Sequence, residues 1–73
     1  SSAASDVYKR QNMTCVEYVN NVRLEKAVEL FEQGNTSILE VSLSVGFHNL
    51  SYFHRAFKNK YGMTPRSFIK ELK

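Results

Sequence analysis

The sequence of 73 residues has no tryptophan, one cysteine (Cys15), one proline (Pro65) and three glycines. A lone cysteine builds no internal disulfide, which excludes the cross-linked secreted scaffolds and fits a reducing compartment, the cytoplasm. No apolar run approaches the ~20 residues that a membrane helix requires, and no signal-peptide pattern is present. A glycine-rich phosphate loop and paired carboxylates are also lacking, and Cys15 has no companion base. The chain is therefore read as a non-enzyme without a cofactor. His48 and His54 are six residues apart and straddle different faces of a turn and a helix, a poor arrangement for a metal. His54 is expected at the edge of a buried stripe, half-buried. No segment alternates with a period of two, so no strands are expected.

What is present is ordinary for a small folded domain: 42% apolar and 23% charged residues, well away from the compositions that stay disordered. Such a chain forms one small domain or a piece of one, with a core worth only a few kcal/mol net. The overall charge of +3 is modest but unevenly spread. Residues 1–37 hold four Lys/Arg and five Asp/Glu, whereas residues 38–73 hold six and two. The C-terminal half is the basic one, as expected of a surface that meets polyanions.

Helix starts punctuate the chain. Thr14 and Glu17 have capping-box spacing, with Met13 placed to staple onto Tyr18. The helix they open is expected to run to about Gln33 and stop at Gly34. Its apolar positions Tyr18, Val19, Val22, Ala27, Leu30 and Phe31 predict one broad buried side, with Arg23 beside it paired to a carboxylate. Glu25, Glu29 and Glu32 make its outer side acidic, which suits a polyanion reader poorly. Ser37 and Glu40 repeat the capping-box spacing and open a short helix lined by Ile38, Val41 and Val45 that Gly46 ends. Phe47 is expected to plug the core, and Asn49 to cap the next helix, which ends at Gly62. Thr64-Pro65 opens a last helix with Phe68, Ile69 and Leu72 inward and Arg66, Lys70 and Lys73 outward.

A faint repeat at a spacing of 50 aligns Arg10, Asn12-Met13-Thr14 and Tyr18 with Lys60, Gly62-Met63-Thr64 and Phe68. Either helix caps recur by chance, or residues 1–12 are the remnant of a preceding copy of the same module; a leader or an assembly scar is the further alternative for them. The expected organisation is 1–12 as leader or remnant, 13–34 as a linker helix and 35–73 as a helix-turn-helix unit.

The stretch 45–58 organises the chain. Leu50, Phe53, Phe57 and Tyr61 recur at three- and four-residue steps, one stripe of a helical period. The side away from that stripe carries Tyr52, Arg55 and Asn59, flanked by Ser51 and Lys58. A short helix, a glycine-containing turn and an amphipathic second helix have the layout of a helix-turn-helix, whose second helix enters the major groove. Thr36 and Ser37 put two hydroxyls at the start of the first helix, where a backbone phosphate can sit. An ordinary helical hairpin with a solvated basic side accounts for the same pattern.

The run Ile38-Leu39-Glu40-Val41-Ser42-Leu43-Ser44-Val45-Gly46-Phe47, then Ser51-Tyr52-Phe53-His54-Arg55-Ala56-Phe57-Lys58 and Gly62-Met63-Thr64-Pro65, closely resembles the signature of the AraC/XylS family of bacterial transcription regulators. Tyr18, Arg23, Ala27 and Leu30 resemble that family's linker helix, and the likeness spans about residues 13 to 70. It implies an all-α fold, a four-helix, homeodomain-like helix-turn-helix unit with a long N-terminal linker helix. In the family two such units flank the linker and read successive major-groove segments; this chain resembles the linker plus the second unit.

By position, the resemblance implies base contacts by Leu50, Ser51 and Arg55, and backbone contacts at or near Asn49, Tyr52 and Lys58. Asn59, on the same outward side, and Thr36 and Ser37 complete the expected backbone contacts. Leu50 departs from the polar residue common in relatives, so it packs inward or touches a thymine methyl. Ser42 replaces the usual alanine of the first helix. Phe47, Phe53, Phe57 and Phe68 are read as core. The implied partners are double-stranded DNA, with RNA polymerase and a sensor domain as further ones. The rival from another class is a protein-interaction module that docks on polymerase or a sensor through the acidic linker helix.

Overall fold

The computed structural model describes residues 14–72. Four helices are its regular elements: α1 (Cys15–Glu32), α2 (Ile38–Ser44), α3 (Leu50–Tyr61) and α4 (Pro65–Leu72). The all-α, four-helix expectation is met, and no strand occurs among the described residues.

Each helix starts where a side chain answers the free amides of its first turn. Thr14 Oγ1 accepts from the Glu17 N–H at 3.1 Å, and Glu17 Oε1 accepts from the Thr14 N–H at 2.9 Å, closing the box. Ser37 Oγ accepts from the Glu40 N–H at 3.3 Å, but the Ser37 N–H goes to Asn35 Oδ1 at 3.1 Å, so Asn35 takes the part that the spacing assigned to Glu40. Asn49 Oδ1 accepts from the Tyr52 N–H at 2.9 Å, and Thr64 Oγ1 from the Ser67 N–H at 3.2 Å. Thr14 and Thr64 thus both cap a helix start; residues 10–12 and the Met13 staple, on which the 50-residue repeat also rests, lie outside the described residues. Thr14→Ala removes a cap from an exposed helix end and is expected to cost about 1 kcal/mol. In a domain this size that lowers Tm by roughly 4–8 °C, which a circular-dichroism melt reads directly.

The core is aromatic. Phe53 and Phe57 are fully buried, and Leu24, Ala27, Phe31, Val41 and Phe47 are buried with them. Phe57 has Phe31 edge-on at 6.1 Å, Phe53 at 5.8 Å, Tyr61 at 4.7 Å and Phe68 at 5.7 Å between ring centroids, so one side chain touches α1, α3 and α4. Phe68 and Ile69 pack against this cluster half-buried. Burial raises the Tyr61 phenol above its ordinary range, and the nearby Glu25 carboxylate adds to that shift.

Four expectations are corrected. The buried side of α1 is Leu24, Ala27 and Phe31, whereas Val19 and Val22 stand 36% and 49% exposed. At 100° per residue Val19 and Val22 lie on a different side of the helix from Leu24 and Phe31, so α1 carries two apolar sides and α2–α4 cover only one. Leu72, expected inward, is exposed in the last turn of α4, and Lys73 lies outside the described residues. His54 is exposed, not half-buried. Arg23 makes no ion pair with a described carboxylate. It lies across the α2–α3 turn, where a β-carbon on Gly46 would stand 2.9 Å from its Nε.

Ser42, in the position the resemblance reserves for alanine, is buried, and its hydroxyl donates to the Leu39 carbonyl at 2.8 Å. This back-bond to the preceding turn satisfies the buried Ser42 hydroxyl without a partner from another helix.

Candidate nucleic-acid interface

The turn that aims α3 is short. Val45 closes α2, Gly46 takes φ +107°, and the Phe47 N–H returns to the Ser42 carbonyl at 2.8 Å. Phe47 then drops into the core with its ring 5.1 Å from Phe53. With Phe53 and Phe57 buried beneath it, α3 is held by one side along its length. The opposite side faces solvent.

That exposed side holds Ser51, Arg55, Lys58 and Asn59, at i, i+4, i+7 and i+8. None of their side chains makes a hydrogen bond or ion pair with another described residue, so every donor on them is available to a partner. Lys60 is different. It leans back toward α1, with Nζ 3.9 Å from Glu25 and 5.4 Å from the Tyr61 ring centre. Beyond α3, Arg66 and Lys70 are exposed on α4, whereas the acidic side chains Glu25, Glu29 and Glu32 are exposed on α1.

The remaining sequence-predicted site residues fall around this face. Asn49 and Leu50 begin α3; Asn49 spends its side-chain oxygen on the cap, and Leu50 is 38% exposed. Leu50 therefore does not extend the buried stripe of Phe53 and Phe57. Tyr52 sits partly exposed with its ring 5.9 Å from Phe47, and its phenol oxygen accepts from Asn20 Nδ2 at 2.6 Å. Asn20, on α1, has no counterpart in the sequence reading; it and Tyr52 are 32 positions apart, so no local pattern signals the pair. Thr36 and Ser37 are exposed ahead of α2, on a separate element from the α3 side chains. No group of three or more His, Cys, Asp or Glu side chains that could hold a metal occurs among the described residues. Cys15 is exposed at the first position of α1.

A short helix, a glycine turn and a second helix with one side buried and one side of unspent donors form a helix-turn-helix, and residues 2–71 match a family model described as a helix-turn-helix domain. The chain belongs to the AraC/XylS family of transcription regulators. Among curated relatives of this AraC-type unit, the Msm operon regulatory protein of Streptococcus mutans is 41% identical over 64 residues, covering 88% of this chain and 23% of that protein. The HTH-type transcriptional regulator MtrA of Neisseria gonorrhoeae is 43% identical over 54 residues, covering 74% of this chain and 18% of that protein. A third, the bifunctional transcriptional activator/DNA repair enzyme AdaA of Bacillus subtilis, is 38% identical over 60 residues, covering 82% and 28%. The chain thus spans only 18–28% of the length of these three relatives. No solved structure matches it. No described helix is long and apolar enough to cross a membrane.

Proposed function

We propose that this unit binds duplex DNA in transcription regulation by inserting α3 into a major groove, and that it carries no catalytic chemistry of its own. The observation that supports this is the exposed α3 side bearing Ser51, Arg55, Lys58 and Asn59, all unpaired, directly opposite the buried Phe53 and Phe57. Arg55 addresses a base edge, where its fork matches guanine O6 and N7. Ser51 stands beside it as a short donor and acceptor, and Leu50, exposed at the helix start, meets a thymine methyl. Asn49, Tyr52, Lys58 and Asn59 take the phosphate backbone, with Thr36 and Ser37 touching it from the start of α2. Backbone contacts supply affinity and register, and one or two base contacts supply sequence preference.

The test is a fluorescence-anisotropy titration of labelled promoter duplexes over a range of salt. Affinity is expected to fall linearly on logarithmic axes, with a slope of about −0.9 for each phosphate neutralised. Lys58→Ala is expected to reduce that slope by about 1 and to weaken binding evenly across sequences. Arg55→Ala is expected to cost about 1–3 kcal/mol and to relax sequence preference, with the melting temperature unchanged because the side chain touches nothing in the core. Binding that ignores salt, or an Arg55→Ala protein that binds like the parent, would favour the protein-interaction module instead.

A further inference from the structure

The Asn20–Tyr52 bond joins α1 to α3 directly, side chain to side chain, and it ends on the reading helix. Tyr52 is the third residue of α3, and three contacts fix it. Its backbone N–H is held by Asn49, its ring leans on the buried Phe47, and its phenol oxygen takes the Asn20 amide proton at 2.6 Å. A phenol oxygen has one proton to donate and two lone pairs to accept with. Asn20 occupies a lone pair and leaves the proton, for which no described residue supplies an acceptor. The ring is 39% exposed, and Arg55 lies three residues on, on a neighbouring part of the same helix surface. An exposed phenol proton with the unpaired Arg55 cation on the same surface suits an acceptor-only, anionic partner.

From this geometry we infer that Asn20 is a positioning residue for DNA binding: it orients and polarises the Tyr52 phenol so that its proton is presented to a backbone phosphate. The inference rests on the DNA-reading role of α3. Two physical effects act together. Holding the phenol between Phe47 and Asn20 removes rotamer freedom before binding, so less is lost when the phosphate arrives. Accepting a hydrogen bond also strengthens the phenol as a donor, by a modest fraction of a bond. The reading helix thereby takes part of its phosphate grip from the linker helix, through a residue that touches no DNA.

A double-mutant cycle decides it. Anisotropy of a labelled random-sequence duplex at low salt suffices, since phosphate contacts carry no sequence information. Tyr52→Phe is expected to weaken binding roughly three- to tenfold, the range of one net hydrogen bond. Asn20→Ala is expected to weaken it roughly two- to fivefold when Tyr52 is present and to have no effect in the Tyr52→Phe background. A merely structural role for Asn20 would produce the same loss in both backgrounds. Circular-dichroism melts establish that each variant is folded at the assay temperature, and Asn20→Leu, similar in size and favourable to helix, replaces the alanine variant if that one melts too low. Equal losses in both backgrounds overturn the inference, as does full affinity in Tyr52→Phe while Arg55→Ala loses binding; either result leaves the DNA-reading role of α3 standing. If the parent chain binds no duplex, or Arg55→Ala binds like the parent, that role fails and the inference fails with it.

Discussion

Phe57→Ala is expected to abolish cooperative folding. The ring is fully buried and contacts Phe31, Phe53, Tyr61 and Phe68, so this one side chain joins α1, α3 and α4. Truncating a buried phenylalanine costs about 3–5 kcal/mol through lost transfer energy and the cavity left behind. A single core in a chain of this length supplies a net stability of about the same size. The loss therefore takes most or all of the margin, and no nearby side chain swings in freely, because the neighbours are themselves rigid rings packed on one another. A urea titration followed by far-ultraviolet circular dichroism should show a midpoint near zero denaturant, or no sigmoidal transition. A variant that melts within about 5 °C of the parent would mean that less than ~1 kcal/mol was lost and that the cluster is not the keystone of the fold. The contrast with Arg55→Ala is the useful part, since the two residues are two positions apart on one helix. One is expected to remove folding and the other only binding.

The second large effect belongs to Gly46. Gly34 and Gly46 adopt nearly the same backbone angle, φ +106° and +107°. An alanine at either site meets the strain of a left-handed conformation, of order 1–3 kcal/mol. Their surroundings differ. A β-carbon on Gly34 would meet nothing within 4 Å, whereas one on Gly46 would stand 2.9 Å from Arg23 Nε, 3.2 Å from its Cζ and 3.4 Å from its Cδ. The near atoms include the stem of the arginine as well as its tip, so the side chain has to leave the turn as a whole. Gly46→Ala is therefore expected to destabilise more than Gly34→Ala. Adding Arg23→Ala to Gly46→Ala should recover part of the deficit while leaving the backbone strain. Equal losses for the two glycines would show that Arg23 yields freely and that only the backbone angle matters. DNA affinity sharpens the comparison, because Gly46 sets the angle at which α3 leaves α2 and Gly34 does not. Measured below the melting temperature of both variants, Gly46→Ala is expected to bind duplex more weakly than Gly34→Ala.

How far the chain was legible in advance varies from helix to helix. The caps at Thr14, Ser37, Asn49 and Thr64 read correctly because capping is a local event, complete within four residues. On α3 a 3.6-residue period separates Phe53 and Phe57 from Tyr52, Arg55 and Asn59, with Ser51 and Lys58 on the flank, and the structure agrees; it departs at Leu50, which the period put on the buried stripe and which stands 38% exposed at the helix start. The first helix was harder for a definite reason. Val19 and Val22 are apolar like Leu24 and Phe31, so periodicity marks two candidate sides and carries no information on which of them other helices cover. Arg23 misled for a related reason. A charge beside a buried stripe suggests a carboxylate partner, but its neighbour is a residue with no side chain, whose approach is visible only once α1 and the α2–α3 turn are placed together.

By itself, the sequence determined where each helix begins, the family, and that the Arg55 side of α3 faces away from the core. These are local or periodic properties, written into capping residues, glycines and a 3.6-residue stripe. Tertiary structure alone decided that Leu24 and not Val22 meets the core, that Arg23 lies over Gly46, and that Asn20 holds the Tyr52 phenol. Each of those is a contact between segments far apart in the chain, where the deciding quantity is the distance between two helices once their aromatic residues have packed, and no spacing within either helix encodes it.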